Sequence, residues 1–146
     1  MNNNHSLFRI VWISVLVLLI SGWMFAGEIT ISKGGSTIAY ISDDGRIENS
    51  SRSTLGYVDS GGRVENAGRS TMGYIQDGRV ENSGRSTIGY INSEGRVENA
   101  GRMTIGYITS GRIENSSRST VLTFSGDLDL TRIGAYIFFF NLVLQK

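Results

Sequence analysis

Two kinds of side chain that can bind anions or sugars recur at fixed intervals along this chain. Arginine recurs in a series that we call the turn arginines: Arg52, Arg69, Arg85, Arg102 and Arg118. Tyrosine recurs in a series that we call the ladder tyrosines: Tyr40, Tyr57, Tyr74, Tyr90 and Tyr107. Guanidinium groups bind carboxylates and phosphates, and aromatic rings pack on apolar faces, including those of sugars. The pattern therefore indicates recognition of an anionic glycan, a lipid headgroup or a phosphate as its candidate chemistry.

The candidate ligand-binding residues are four members of each series. They are Tyr57, Tyr74, Tyr90, Tyr107, Arg52, Arg69, Arg85 and Arg102. An aromatic residue at one place per repeat more commonly packs between neighbouring hairpins than binds a ligand. Packing and sugar stacking therefore both stay open for the tyrosines.

A second arginine series and a glutamate series lie two residues apart in every repeat. These strand arginines are Arg46, Arg63, Arg79, Arg96 and Arg112, and the glutamates are Glu48, Glu65, Glu81, Glu98 and Glu114. Residues i and i+2 of a strand share a face, so each glutamate has an arginine beside it. We expect a self-neutralising network on the outer face, contributing little stability per ion pair. The turn arginines have no such neighbour, which keeps the ligand-binding hypothesis open.

The composition excludes several classes of protein. The chain has 146 residues, no cysteine, a net charge of +1 and one histidine, His5, in its N-terminal segment. Disulfides and thiolate metal sites are therefore excluded, and the net charge does not indicate nucleic acid binding. Repetition spreads identical residues around a structure, whereas catalysis needs unlike groups at one point. We expect no enzyme activity, no cofactor and no metal site.

A short internal repeat positions all these side chains. The sequence Gly-Arg-Ile-Glu-Asn-Ser-Ser-Arg-Ser-Thr-Leu-Gly-Tyr-Val at 45–58 recurs at 62–75, 78–91 and 95–108, with a degraded copy at 111–124 and a weaker copy at 27–41. The spacings are 17, 16, 17 and 16 residues. Each copy contains an alternating polar and apolar run, turn residues, and a run of β-branched and aromatic residues, which together predict a β-hairpin.

Each predicted hairpin has two different connections. The fixed turn, Asn-x-x-Arg, has the same length in every full copy, whereas the variable loop absorbs the length changes and ends in a glycine suited to a left-handed backbone. A three-residue connection at the fixed turn predicts Val80 opposite Ile88. We expect the asparagine to stabilise the turn through a hydrogen bond between its side chain and the neighbouring backbone. A glycine before each interior ladder tyrosine predicts a sharp bend or close approach of another backbone.

The hairpins must bury their apolar faces against one another, because one hairpin has too few apolar side chains to be stable alone. They can close radially, stack as an open meander or wind into a β-solenoid. Closure removes exposed strand edges, so we favour it. The predicted fold is all-β, with five or six 16–17-residue hairpin repeats closed radially and preceded by an N-terminal hydrophobic helix.

The predicted domain organisation has three parts, residues 1–27, 28–126 and 127–146. The first contains a polar start and an apolar segment from Ile10 to Phe25. These features indicate a cleaved signal peptide or an uncleaved membrane anchor, with a buried core helix as a third alternative. The first two place the repeats outside the cytoplasm, as an exported protein that is periplasmic, secreted or membrane-anchored. The apolar tail at 133–144 is predicted to pack on the repeats, with a membrane-surface contact or subunit interface as alternatives.

The repeated motif Gly-Arg-[Ile/Val]-Glu-Asn-Ser-Ser-x-Ser-Thr-Ile-Gly-Tyr-Ile, followed by Phe138-Phe139-Phe140, resembles the five-fold β-flower proteins of Bacteroidetes over residues 28–144. The resemblance implies hairpins arranged like petals around a central axis, with an apolar C-terminal segment after them. It implies no established activity and no catalytic residues. Two departures are the turn arginines, where glycine is expected, and Leu122-Thr123-Phe124 in place of Gly-Tyr-Ile.

The expected function is that of an exported, non-enzymatic β-repeat protein of the bacterial envelope, serving as a structural or interaction module. One alternative is a module that binds glycan or an anionic polymer through the tyrosine and arginine series. Another is a subunit of an oligomer or fibre with the tail as its contact. The expected partners are a membrane, through residues 10–25 if they are uncleaved, and a glycan or envelope protein, without nucleic acid.

Overall fold

The computed structural model describes residues 27–144, in which twelve antiparallel strands form one closed barrel. Each strand pairs with its sequence neighbours, and the first strand pairs with the last. The strands are β1 (Ile29–Lys33), β2 (Ser36–Ile41), β3 (Arg46–Asn49), β4 (Thr54–Val58), β5 (Arg63–Asn66), β6 (Thr71–Gln76), β7 (Arg79–Asn82), β8 (Thr87–Ile91), β9 (Arg96–Asn99), β10 (Thr104–Thr109), β11 (Arg112–Asn115) and β12 (Thr120–Ser125). The prediction of an all-β, radially closed fold is confirmed.

Six hairpins build the barrel, and five of them carry the sequence motif. The hairpin β1–β2 turns at Gly34 and Gly35 and lacks the Asn-x-x-Arg turn. The other five turn through that sequence at one end of the barrel, which we call the fixed-turn end. The choice between five and six hairpins is thus resolved as five motif copies in a ring of six hairpins.

The fixed turn is held by its asparagine, as the sequence predicts. In the β7–β8 hairpin, Asn82 Oδ1 accepts hydrogen bonds from the backbone N–H groups of Gly84 and Ser86, each at 3.0 Å. The backbone N–H of Arg85 donates to the carbonyl of Asn82 at 3.0 Å. Asparagine stabilises turns in this way because its side chain replaces a backbone acceptor.

The variable loops lie at the opposite end of the barrel, which we call the variable-loop end. Each of the five repeats begins with a loop glycine in the left-handed region, with φ between 75° and 81°. At Gly62, an added Cβ would lie 1.9 Å from the carbonyl oxygen of Ile75, so any side chain is excluded there. The sequence prediction of a left-handed glycine at this position is confirmed.

The predicted register at the fixed turn is wrong by one residue. Val80 pairs with Gly89 rather than with Ile88, and Glu81 pairs with Thr87, so Ile88 is the extra residue of a β-bulge. The same shift occurs in every motif-bearing hairpin. A bulge increases local twist, which helps a short-stranded sheet to curve into a closed barrel.

The C-terminal tail fills the lumen of the barrel. It forms a short helix α1 (Leu130–Ala135) and a five-residue π-helix (Tyr136–Phe140). Gly134 packs against Ile75 and Ile91, whose side chains face inward near the variable-loop end. The chain then runs toward the fixed-turn end, and Ile133, Ile137 and Phe138 are no more than 4% exposed. The core is therefore a barrel wall packed around a central helical plug.

The predicted N-terminal hydrophobic helix lies outside the described residues. Gly27, where the described chain begins, lies beside Asp127 at the variable-loop end. Within residues 27–144, neither helix has the length and apolar character needed to cross a membrane.

Candidate functional site

The outer wall of the barrel carries a recurring cluster centred on a buried glutamate. In the third motif copy, Glu81 Oε1 lies 3.0 Å from Arg79 Nε, and Glu81 Oε2 lies 3.1 Å from Arg85 Nη1. The glutamate side chain is 6% exposed, whereas the two arginine side chains are 56% and 52% exposed. One carboxylate is thus held between a strand arginine and a turn arginine, which accounts for its burial.

The same turn arginine lies flat on a ladder tyrosine from the preceding hairpin. The guanidinium carbon of Arg85 is 3.4 Å from the centroid of the Tyr74 ring. Strand pairing brings them together, because Tyr74 on β6 lies opposite Glu81 on β7, the residue to which Arg85 is bonded. The tyrosine therefore links two neighbouring hairpins through a cation–π contact.

Five such clusters surround the barrel. The stacked pairs are Arg52 on Tyr40, Arg69 on Tyr57, Arg85 on Tyr74, Arg102 on Tyr90 and Arg118 on Tyr107, each at 3.3–3.4 Å. The ring is interrupted between β12 and β2. Thr123 takes the tyrosine position on β12, and the β1–β2 turn has no arginine.

The turn arginines adopt a backbone conformation that is unusual for a residue with a side chain. Their φ angles lie between 63° and 66°, in the left-handed region that favours glycine. This position is the departure from the family pattern that the sequence showed. The structure explains it, because an arginine at this place in the turn reaches both the buried carboxylate and the tyrosine ring.

All eight predicted ligand-binding residues lie in these clusters on the outer wall, and each turn arginine also meets a glutamate. Six of the eight form three stacked pairs, whereas Arg52 and Tyr107 stack on residues outside the predicted set. The predicted ion pairing of each glutamate with a strand arginine is confirmed. The sequence left the turn arginines without a partner, and this interpretation is wrong, since each pairs with a glutamate four residues earlier. One face of each ladder tyrosine is covered by a guanidinium group, so that face is not open to a sugar.

The first cluster has an additional carboxylate. Arg52 Nη2 donates to Glu28 Oε1 at 3.0 Å, and Arg52 Nη1 also pairs with Glu48. The hydrogen bond from Arg52, opposed by partial burial, holds the pKa of Glu28 below its ordinary value. Glu28 lies just before β1 and outside the motif, so the periodicity of the sequence did not reveal this contact.

A cleft of about 450 Å³ lies on the outer wall beside the fourth motif copy. Its lining includes Tyr90, Arg79, Arg96, Arg102 and Glu98. Asp77 lines it as well, so the cleft brings together three cations, two carboxylates and an aromatic ring. Such a concave mixture of polar groups can bind an anionic or sugar-like ligand by displacing water.

A second polar contact, at the variable-loop end, was missed by the sequence analysis. Arg132 on α1 pairs with Asp129 at 2.8 Å and with Asp43 at 3.1 Å, and it donates to the carbonyl of Ser42 at 3.2 Å. Asp129 also caps α1 by accepting from the backbone N–H of Arg132. This contact fixes the plug to the rim of the barrel. Within residues 27–144, no group of acidic or histidine side chains has the arrangement of a metal site.

Comparison with known proteins assigns the family. The family model described as 5-fold beta-flower protein matches residues 28–141, which is most of the chain. The chain therefore belongs to the five-fold β-flower family, and the resemblance noted from the motif is confirmed. No curated protein and no solved structure matches the chain.

Proposed function

We propose that this protein is a non-enzymatic structural or interaction module that is exported to the bacterial envelope. The observation that carries the proposal is the filled lumen. Barrels that hold a small ligand do so in the lumen, and here that space is occupied by Ile133, Ile137 and Phe138 of the same chain. What the barrel presents to its surroundings is its outer wall and its two ends.

The outer wall supports the same proposal. Its charged side chains are held in five near-identical clusters, in which each carboxylate lies between two guanidinium groups. Catalysis requires unlike groups converging on one reacting atom, and a repeated self-paired cluster has the opposite character. The clusters instead join neighbouring hairpins through ion pairs and cation–π contacts.

Export is supported by the N-terminal sequence, in which Arg9 precedes the apolar segment from Ile10 to Phe25. The test is intact mass combined with fractionation of the full chain expressed in a bacterial host. A periplasmic or secreted species lacking about the first 26 residues supports a cleaved signal. A full-length membrane-bound species supports an anchor, through which the membrane becomes a partner. A full-length species in the cytosol contradicts export.

A second candidate function is binding of an acidic glycan or another anionic polymer in the cleft beside Tyr90. The cleft supports it because three arginines and an aromatic ring line one concavity. The test is retention on a heparin column and binding to a glycan array. Arg102→Gly should reduce retention, since glycine suits the φ of 65° and removes the guanidinium. The matched control is Arg69→Gly, which makes the same change outside this cleft. Equal retention of both variants and the wild type contradicts this function.

A further inference from the structure

One junction between hairpins lacks the cluster that joins the hairpins at the other five. At this β1–β12 junction, Thr30 pairs with Ser125 and Ser32 pairs with Thr123, and these four side chains face outward. Within residues 27–144, no ion pair joins the two strands. The barrel is therefore closed without a charged contact at the place where its first and last strands meet.

The segments that lead into β1 and out of β12 are in direct contact at the variable-loop end. Just before β1, Glu28 Oε1 accepts a hydrogen bond from Arg52 Nη2 at 3.0 Å, and Glu28 Oε2 pairs with Arg52 Nη1. Just after β12, Gly126 has a φ of 99°, and an added Cβ there would lie 2.5 Å from the carbonyl oxygen of Glu28. Glycine is needed at this position because the two backbones approach so closely.

This contact places Gly27 beside the carboxylate of Asp127. An added Cβ at Gly27 would lie 2.8 Å from Asp127 Oδ2 and 3.3 Å from its Cγ. The nitrogen of Gly27 and such a Cβ share one Cα and lie about 2.5 Å apart, so the nitrogen is no more than about 5.3 Å from Oδ2. Asp127 is exposed and forms no ion pair within residues 27–144, so a small rotation of its side chain can bring the two groups together.

The sequence before Gly27 provides a way to place a positive charge on this nitrogen. Ala26 follows the apolar segment, and signal peptides are cleaved after a small residue in this position. Met24 is larger than the residue usually found two positions earlier, whereas Ala26 fits the position directly before the bond. Hydrolysis of the bond between Ala26 and Gly27 consumes one water, and it leaves a carboxylate on Ala26 and an ammonium group on Gly27.

We infer that the chain is cleaved between Ala26 and Gly27 on export and that the new ammonium group of Gly27 binds Asp127 across the β1–β12 junction. The inference rests on the proposed export with a cleaved signal. Before cleavage the same nitrogen belongs to a neutral amide, so the ion pair forms only in the processed protein. Glu28, the other carboxylate next to Gly27 in the sequence, is already bound by Arg52, which leaves Asp127 as the acceptor. The ammonium group thus supplies the cation that the sixth junction lacks.

Mapping the N-terminus is the first test. The full chain is expressed in a bacterial host, and the exported species is analysed by intact mass and by its N-terminal peptide. The expected first residue is Gly27. An exported chain that begins elsewhere, or that keeps its leader, overturns the inference and leaves the proposed export in place. A full-length chain in the cytosol contradicts export and overturns the inference with it.

Acylation of the α-amine tests the ion pair in the processed protein. A succinimidyl ester reacts with the neutral amine, so binding of the ammonium form to a carboxylate slows the modification of Gly27. Asp127→Asn should raise the rate at Gly27 roughly two- to five-fold, as expected for an exposed ion pair, and Asp127→Glu should keep it near the wild-type rate. The rate at Lys33 is the internal standard and should not change. The matched control is Asp77→Asn, which removes an exposed carboxylate from another loop at the same end.

Amide hydrogen exchange tests whether the ion pair holds the junction closed. In the processed protein, Asp127→Asn should speed exchange in β1 and β12 by roughly two- to five-fold and leave β5 and β6 unchanged, because an exposed pair affects local opening. The comparison is repeated in Ala26→Leu, whose large residue prevents cleavage and leaves Gly27 without an ammonium group. There Asp127→Asn should have no effect on exchange.

Two results would overturn the ion pair even if the chain begins at Gly27. One is an equal rate of acylation at Gly27 in the wild type and in Asp127→Asn. The other is an equal effect of Asp127→Asn on exchange with and without cleavage, which would mean that Asp127 acts without the ammonium group. Neither result bears on export, which fractionation measures separately.

Discussion

Arg85 lies on the ring of Tyr74 at 3.4 Å while the same guanidinium group binds Glu81, and it does so from a backbone with φ of 66°. A left-handed backbone costs an ordinary residue about 1–2 kcal/mol. A cation–π contact at a partly exposed site contributes roughly 0.5–1 kcal/mol, and the ion pair to a buried carboxylate adds to this. The contacts of the side chain thus offset the cost of the backbone.

This balance predicts different effects of two truncations at Arg85. Arg85→Ala keeps the unfavourable φ and loses both contacts, whereas Arg85→Gly loses the contacts but relieves the backbone. The alanine variant should be less stable than the glycine variant by about 1 kcal/mol. Urea unfolding of both variants measures the difference. Equal stabilities would show that the φ of this residue carries no cost.

Because the carboxylate of Glu81 is buried, removing its charge should lower the free energy of unfolding more than removing the charge of an exposed carboxylate. Glu81→Gln leaves Arg79 and Arg85 facing each other without a compensating charge, and should lower the free energy of unfolding by roughly 2 kcal/mol. The loss stays below that of a fully buried pair, since both guanidinium groups reach water. The matched control is Glu94→Gln on an exposed loop, which should change stability by no more than about 0.5 kcal/mol. Similar losses in the two variants would contradict the role given to the cluster.

In four of the six hairpins the second strand contains a glycine at which an added side chain would clash with its neighbours. An added Cβ at Gly89 would lie 2.5 Å from the Phe138 ring and 2.7 Å from the carbonyl oxygen of Glu98. Gly89→Ala should therefore destabilise the barrel by roughly 2–3 kcal/mol. The matched control is Gly84→Ala in a fixed turn, where the nearest atom to an added Cβ lies at 3.4 Å and belongs to the Asn82 side chain.

A double-mutant cycle tests whether this effect runs through the plug. Phe138→Leu removes the ring nearest to the added methyl group, so Gly89→Ala should cost about 1 kcal/mol less in that background than in the wild type. The remaining cost comes from the carbonyl oxygen of Glu98, which no side-chain change relieves. Strictly additive effects of the two substitutions would mean that Phe138 does not pack on Gly89 in solution.

The plug also predicts how stability depends on alkaline pH. Burial raises the pKa of Tyr136 above its ordinary value, although a hydrogen bond from Asn141 Nδ2 to its hydroxyl partly opposes the shift. A raised pKa in the folded state stabilises the protein below the ordinary tyrosine pKa of about 10, and this contribution is lost as pH rises through the folded value. Tyr136→Phe should therefore reduce the fall in stability above pH of about 10.

Denaturant unfolding at a series of alkaline pH values measures that slope. The control is Phe138→Leu, which destabilises the plug without removing a titratable group and should keep the wild-type slope. If Tyr136→Phe shows the same slope as the wild type, ionisation of Tyr136 is not coupled to unfolding.

Much of the barrel wall could be predicted from the sequence because the relevant interactions are local. Asn82 and the loop glycines determine their turns within a few residues, and the alternation of polar and apolar residues determines which side faces inward. Closure of the barrel could be predicted, because exposed strand edges are unfavourable. The register at the fixed turn could not be predicted, because a three-residue connection and a bulge containing Ile88 have the same turn residues in the sequence.

Apart from the pairs of turn arginines with glutamates, which lie within one repeat, the contacts that were missed join residues from different repeats or from outside them. Tyr74 and Arg85 belong to neighbouring hairpins and meet because β6 pairs with β7, which the motif alone does not show. Arg132 meets Asp43 across most of the described chain. The sequence did not show that the tail fills the lumen, because an apolar segment is equally compatible with other ways of packing on the repeats.

The size of the plug restricts the number of hairpins that the barrel can contain. Its side chains meet the wall glycines one hairpin at a time: Phe140 at Gly56, Phe139 at Gly73, Phe138 at Gly89 and Leu144 at Gly106. Tandem repeats readily gain or lose a unit by duplication or deletion, and one more hairpin would widen this barrel by about 2 Å in radius. The same tail would then no longer reach every glycine, and one hairpin fewer would leave it no room. An open repeat array can change its number of repeats without such a constraint. In this barrel the number of hairpins must match the volume of the side chains at 138–144.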